Sequence, residues 1–187
     1  AHFNIEWLYQ KLGEAENALN HYAKTIKFNP GNLQAFYNSG EIHESFQRHK
    51  EAIKAFKQVT RIDPKHVKAH TRLGTNYAKL NSMDEALEEF SIALKINPNL
   101  AATYYHLGKT YEGLKRYQEG LQPLKKAVQL KPDHIKAIYL LGKFNTFLKN
   151  YKDAIFSLEQ VNKFEAGFEE TDFLLGQSFC LLYTSPS

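Results

Sequence analysis

The chain has 187 residues, 43% hydrophobic and 24% charged, with 24 Lys and Arg against 20 Asp and Glu for a formal net charge of +4. That balance excludes a disordered or collagen-like chain, and no stretch approaches the roughly 20 apolar residues that cross a bilayer as a helix. Basic residues are spread out instead of forming one run, which argues against a nucleic-acid partner, and the first ten residues lack the order of a secretory signal.

Pro30, Pro64, Pro98 and Pro132 stand 34 residues apart, and Gly40, Gly74, Gly108, Gly142 and Gly176 keep the same interval. A fixed period of this length marks a stack of identical supersecondary units. In chain order the predicted units are 1–32, 33–66, 67–100, 101–134 and 135–168. Residues 169–187 follow as a partial sixth unit or a capping helix with an irregular tail. In each second half a small residue (Ala18, Ala52, Ala86, Gly120, Ala154) precedes a large apolar one by four (Tyr22, Phe56, Phe90, Leu124, Leu158). That spacing lies on one helical face and predicts an amphipathic helix. The glycine of the first half is expected to let a neighbouring helix approach closely and to face that alanine. Each proline lacks an N–H and biases the residue before it away from helical angles, so it ends the second helix. The unit is helix, turn, helix, turn. Stacked pairs sharing a continuous core predict an all-α, curved solenoid.

Several departures carry expectations of their own. Glu6 stands where the first unit should have its glycine, and the fifth unit ends in Glu165-Ala166-Gly167 without proline. Pro123, past the first turn of its helix, removes the bond to the Glu119 carbonyl and should bend or shorten that helix. The chain starts without methionine and stops about one helix into a sixth unit, which reads as a segment of a longer protein. Residues 181–187 read either as a translated library adaptor or as a native loop. Cys180 has no internal disulfide partner and reads as a small buried hydrophobe, fitting a reducing, intracellular and by default cytoplasmic setting.

The pattern Leu73, Gly74, Tyr77, Ala86, Phe90, Ala93, Pro98, repeated in register over nearly the whole chain, resembles the tetratricopeptide repeat family. The resemblance implies a right-handed α-solenoid of antiparallel helix pairs whose first helices line an inner groove that takes extended peptides. On that face it places Trp7, Tyr37, Asn38, Lys68, Arg72, Lys79, Tyr105, Lys109, Lys136, Tyr139 and Lys143. Bases exceed acids there, which predicts an acidic or C-terminal peptide held by charge-assisted hydrogen bonds, with Tyr105 and Tyr139 adding apolar contact. Family members that grip chaperone tails use a five-residue clamp; Asn38, Lys68 and Arg72 match three of its positions, while Phe3 and Trp7 occupy the other two.

Nothing in the chain has the spacing of a phosphate-cradling loop, a zinc site or a nucleophile motif, so no catalysis, metal or cofactor is expected. His66 and His70 are four apart, but His66 lies in a turn and His70 takes the place of a packing aromatic. His43 is read in the same way, as a packed ring with a satisfied nitrogen. The aromatic residues read as interhelical packing. The function expected is a non-catalytic protein-interaction scaffold. The alternatives are a structural subunit of a large multiprotein assembly (ciliary, trafficking or organellar) using convex faces and edges, and the substrate-recognition arm of an enzyme.

Overall fold

The computed structural model describes residues 2–168 and 170–184, with side chains from Leu12 onward. Among the described residues there are ten helices and no strand, so the fold is an all-α helical-repeat solenoid. The chain forms two compact units, Ala1–Ile96 and Asn97–Ser187.

The first unit holds α1 (His2–Phe28), α2 (Leu33–Ser45), α3 (His49–Ile62), α4 (Val67–Lys79) and α5 (Met83–Ile96). The second holds α6 (Ala101–Gly113), α7 (Tyr117–Leu130), α8 (Ile135–Phe147), α9 (Tyr151–Phe164) and α10 (Thr171–Thr184). The prolines act as expected: α1, α3, α5 and α7 each stop two residues before one. Asp63 and Lys131, each preceding a proline, are extended, with φ of −128° and −140°. Side chains then start the next helices. Asn32 accepts a bond from the Ala35 N–H (2.9 Å), His66 Nδ1 from Ala69 (3.1 Å) and His134 Nδ1 from Ala137 (3.4 Å). Inside each pair the chain reverses through one left-handed residue at the same register: Gln47, Asn81, Lys115 and Lys149, with φ between 56° and 62°.

In the first unit Ala52, Phe56, Leu73, Ala86, Phe90 and Ala93 are inaccessible to solvent. A Cβ on Gly74 would lie 2.6 Å from Cε1 of Phe90, closer than real atoms approach, and the same conflict arises between Gly40 and Phe56. The repeat glycine therefore lies directly against the large apolar residue of the second helix. In the second unit Gly108 and Gly142 meet Leu124 and Leu158 in the same way. The core there also includes Leu140, Phe144 and Val161.

Four expectations need correction, one of them in part. Residues 1–32 carry one continuous helix where two were expected, running through Gly13 at the register of the left-handed turns. Glycine is compatible with either geometry, and the uninterrupted helix keeps its backbone bonds. Of the two outcomes expected of Pro123, shortening does not occur: α7 has 14 residues, as α3, α5 and α9 have, and its buried Gly120, Leu121 and Leu124 anchor it on both sides of the missing bond. Cys180 is exposed, because α10 buries the stripe Thr171, Leu174 and Ser178 and turns the cysteine outward. Packing does not account for every aromatic: Phe28, Phe156 and Phe173 are 87%, 65% and 69% exposed. Residues 181–184 continue α10, and 185–187 of the adaptor-like tail lie outside the described residues.

Candidate protein-interaction site

In the first unit the candidate residues other than Trp7, which lies on α1, sit on α2 and α4, both first helices of their pairs. Spacings of four and seven along each helix bring Tyr37, Glu41 and Glu44 of α2 opposite Arg72 and Asn76 of α4. The Arg72 guanidinium contacts Glu44 at 3.0 Å and Glu41 at 3.4 Å. Burial alone would lower its pKa, but Glu44, Tyr37 and Glu41 together raise it further. Asn76, fully buried, donates to Glu44 Oε1 (3.1 Å) and to the Arg72 carbonyl (2.9 Å), while its Oδ1 lies 2.8 Å from Nδ1 of His49. Asn38 is engaged as well, donating to the Tyr22 hydroxyl (3.0 Å) and accepting from Gln34 (2.6 Å). The Tyr37 ring packs on Phe56 and His66, and burial raises its hydroxyl pKa. Lys68 and Lys79 are exposed. This face is a closed network in which one guanidinium answers two carboxylates.

The second unit presents a different balance. Tyr105, Lys109 and Glu112 follow one stripe of α6, and Lys136, Tyr139, Leu140 and Lys143 one stripe of α8. They surround a single cavity of about 190 Å³. Lys143 Nζ pairs with Glu112 at 2.8 Å. Burial pulls the Lys143 pKa down, but the bond and field of Glu112, with Tyr139 and Glu170, outweigh it and hold it above the ordinary lysine value. Lys109 and Lys136 make no ion pair among the described residues and are exposed. Tyr139 is only 5% exposed, edge-on to Phe168 at 5.5 Å, and Tyr105 stacks at a tilt on His134 at 4.9 Å. Two aromatic walls, three ammonium groups and one carboxylate make a pocket with surplus positive charge.

Five of the eleven candidate residues thus line one cavity. Tyr37 and Arg72 belong to the closed network of the other unit, Asn38 is bonded to Tyr22 and Gln34, and the side chain of Trp7 lies outside the described residues. Asn76 is a site residue beyond the eleven expected from the sequence. Its signal was register: an amide stands where Ile42 and Phe144 stand in other units. His70, weighed as a metal ligand, instead bonds Glu89 (2.6 Å) and the Pro64 carbonyl (3.0 Å), and no cluster of three metal-ligating side chains occurs among the described residues.

With the helix pairs and this face in place, comparison with known proteins identifies the class. Residues 7–67 match a tetratricopeptide repeat model, and residues 68–134 match the model described as regulator of microtubule dynamics protein 1-3. No match appears among curated protein sequences. A structure of MamA residues 41 to the end, from Desulfovibrio magneticus RS-1, is similar with a TM-score of 0.77 at 25% identity, covering 89% of this chain and 94% of that one. YrrB, described as a TPR protein with an unusual peptide-binding site, gives a TM-score of 0.76 at 22% identity over 95% of this chain and 90% of its own. A further MamA crystal structure reaches a TM-score of 0.79 at 20% identity, covering 83% of this chain and 91% of that one. The chain thus carries a tetratricopeptide-repeat match over residues 7–67, and its helical-repeat fold is similar to that of these solved structures.

Proposed function

We propose that this chain is a non-catalytic protein-interaction scaffold, and that it recognises an acidic protein segment at the cavity lined by Tyr105, Lys109, Lys136, Tyr139 and Lys143. The observation that carries this reading is the pair Lys109 and Lys136, without ion-pair partners among the described residues, beside a Lys143 whose charge is kept by Glu112. A peptide carboxylate placed between them gains charge-assisted bonds, while Tyr105 and Tyr139 offer apolar walls to its side chains. Arg72, satisfied by Glu41 and Glu44, is a poorer anion site.

The test is fluorescence anisotropy of a labelled Asp/Glu-rich peptide with a free C-terminus. Lys109→Ala with Lys136→Ala should weaken binding about tenfold at low salt, since each exposed charge pair is worth roughly 0.2–1 kcal/mol. Lys68→Ala with Lys79→Ala, in the other unit, should change it little. Equal affinity of wild type and the Lys109/Lys136 variant refutes the reading. A second reading, a subunit of a larger assembly, is supported by Phe156 and Phe173, which stand exposed on α9 and α10. In that case the same peptide would not bind, and Phe156→Ser with Phe173→Ser would remove the chain from its complex.

A further inference from the structure

The cavity between α6 and α8 has a charge balance of its own. It carries three ammonium groups, of Lys109, Lys136 and Lys143, and one carboxylate, of Glu112. Glu112 is engaged by Lys143 at 2.8 Å, with both side chains half-buried. Lys109 and Lys136 make no ion pair among the described residues, so two positive charges stand uncompensated around about 190 Å³ of space. Glu170, just before α10, acts on Lys143 through its field and does not line the cavity. In the first unit the balance is reversed, with the Arg72 guanidinium facing the two carboxylates of Glu41 and Glu44.

That surplus distinguishes among anions. An ammonium is a compact point charge and lacks the planar fork with which arginine matches a carboxylate, so a lysine site ranks anions by charge more than by shape. One carboxylate cancels one of the two free charges and leaves the other unmet. Carboxylates on successive residues of an extended segment point to opposite sides, so a single cavity receives only one of them. A phosphomonoester carries about −1.5 to −2 charges at pH 7 on three acceptor oxygens, and answers both lysines from one point. The space, equal to that of roughly six waters in the liquid, takes a phosphate group and the short side chain that bears it.

Resting on the reading of this cavity as the partner's binding site, we infer that the segment it takes is phosphorylated, with a phosphoserine entering between Lys109 and Lys136 while Tyr105 and Tyr139 contact the residues beside it. A kinase acting on the partner then governs the interaction. The phosphate also brings a pH dependence, because its second ionisation lies near pH 6, whereas a glutamate side chain stays ionised down to about pH 4.3. The charged and titratable groups facing it are Lys109, Glu112 and Tyr105 on α6 and Lys136, Tyr139 and Lys143 on α8. His134, on which Tyr105 packs, is held below its ordinary pKa chiefly by burial, and any charge it gains in acid is common to phosphate and carboxylate peptides.

The probes are three labelled peptides of one sequence, amidated at the C-terminus and carrying phosphoserine, glutamate or serine at the central position, titrated into the full chain at low salt by fluorescence anisotropy. The phosphoserine peptide should bind about fivefold tighter than the glutamate peptide, and the serine peptide most weakly. Lys109→Ala with Lys136→Ala should bring phosphoserine and glutamate to within about twofold of each other. In wild type, lowering the pH from about 7.5 to about 5.5 should erase most of the phosphoserine advantage. The inference is overturned by no binding of the phosphoserine peptide, by equal affinity for phosphoserine and glutamate, or by an advantage undiminished in the lysine variant or in acid. In any of those cases the Asp/Glu-rich peptide with a free C-terminus separates the two readings. If its binding still depends on Lys109 and Lys136, only the phosphate is refuted; if it does not, the site is refuted as well.

Discussion

His70 and Glu89 show how much one residue's role depends on its neighbours. Both ring nitrogens of His70 face oxygen acceptors, the Glu89 carboxylate and the Pro64 carbonyl, an arrangement that only the doubly protonated ring satisfies. The Glu89 bond raises its pKa; burial opposes this and the Pro64 bond reinforces it. The native state therefore holds this proton more tightly than the unfolded chain, whose histidine titrates near 6.5. The stabilisation is complete below about pH 6.5 and disappears as pH rises through the elevated native value. His43 and His134, whose pKa values are lowered chiefly by burial, act in the opposite sense. The effect is isolated by comparing wild type with His70→Phe/Glu89→Ala, which copies Phe36 and Ala55 of the preceding unit. Urea midpoints measured from pH 5.5 to 9 should show wild type losing its advantage as pH rises; a constant difference would remove the proton from the account.

At the scale of the element, the packing of α7 against its neighbours is decided by one missing carbon. A Cβ on Gly120 would lie 2.2 Å from Cε2 of Phe144 and 3.1 Å from Cβ of Tyr111. The other units have alanine at the Gly120 register, and none of them has a phenylalanine at the Phe144 register. The two departures compensate in volume. Gly120→Ala should destabilise the chain by about 1–3 kcal/mol through overpacking, and Phe144→Leu in the same chain should recover part of it. Gly176→Ala in α10, where nothing lies within 4 Å, should instead stabilise by up to about 1 kcal/mol from helix propensity alone. Both are read from chemical denaturation. Pro123→Ala restores a donor to the Glu119 carbonyl, and a gain of up to about 3 kcal/mol is expected. This compensation was not legible in the chain, because it links residues 24 apart on facing helices. The helix ends were legible, since proline acts on its own residue and the one before.

For the whole molecule, the period was readable because a repeat states each rule several times over. Where a residue departs from the rule, the neighbour that answers it decides the outcome. Arg72 looked like a free cation from its register; Glu41 and Glu44, on another helix, neutralise it. Lys109 and Lys136 looked the same and have no such answer among the described residues. The net charge of +4 adds a diffuse attraction for acidic partners that salt screens, with a Debye length of about 10 Å at 0.1 M. Raising ionic strength from about 0.01 M to 1 M should therefore weaken acidic-peptide binding to wild type far more than to Lys109→Ala/Lys136→Ala. Parallel salt curves for the two would place the anion elsewhere.

The hairpin residues Gln47, Asn81, Lys115 and Lys149 hold one mirror-image backbone geometry with three different side chains, none of them glycine. For L-residues that geometry is uphill by roughly 1–2 kcal/mol, less for asparagine. The chain thus contains its own series of internal controls: swapping each for glycine should raise the melting temperature least at Asn81. Since the four positions share no partners, the increments should sum, turning a conformational preference into an additive route to a hardier protein.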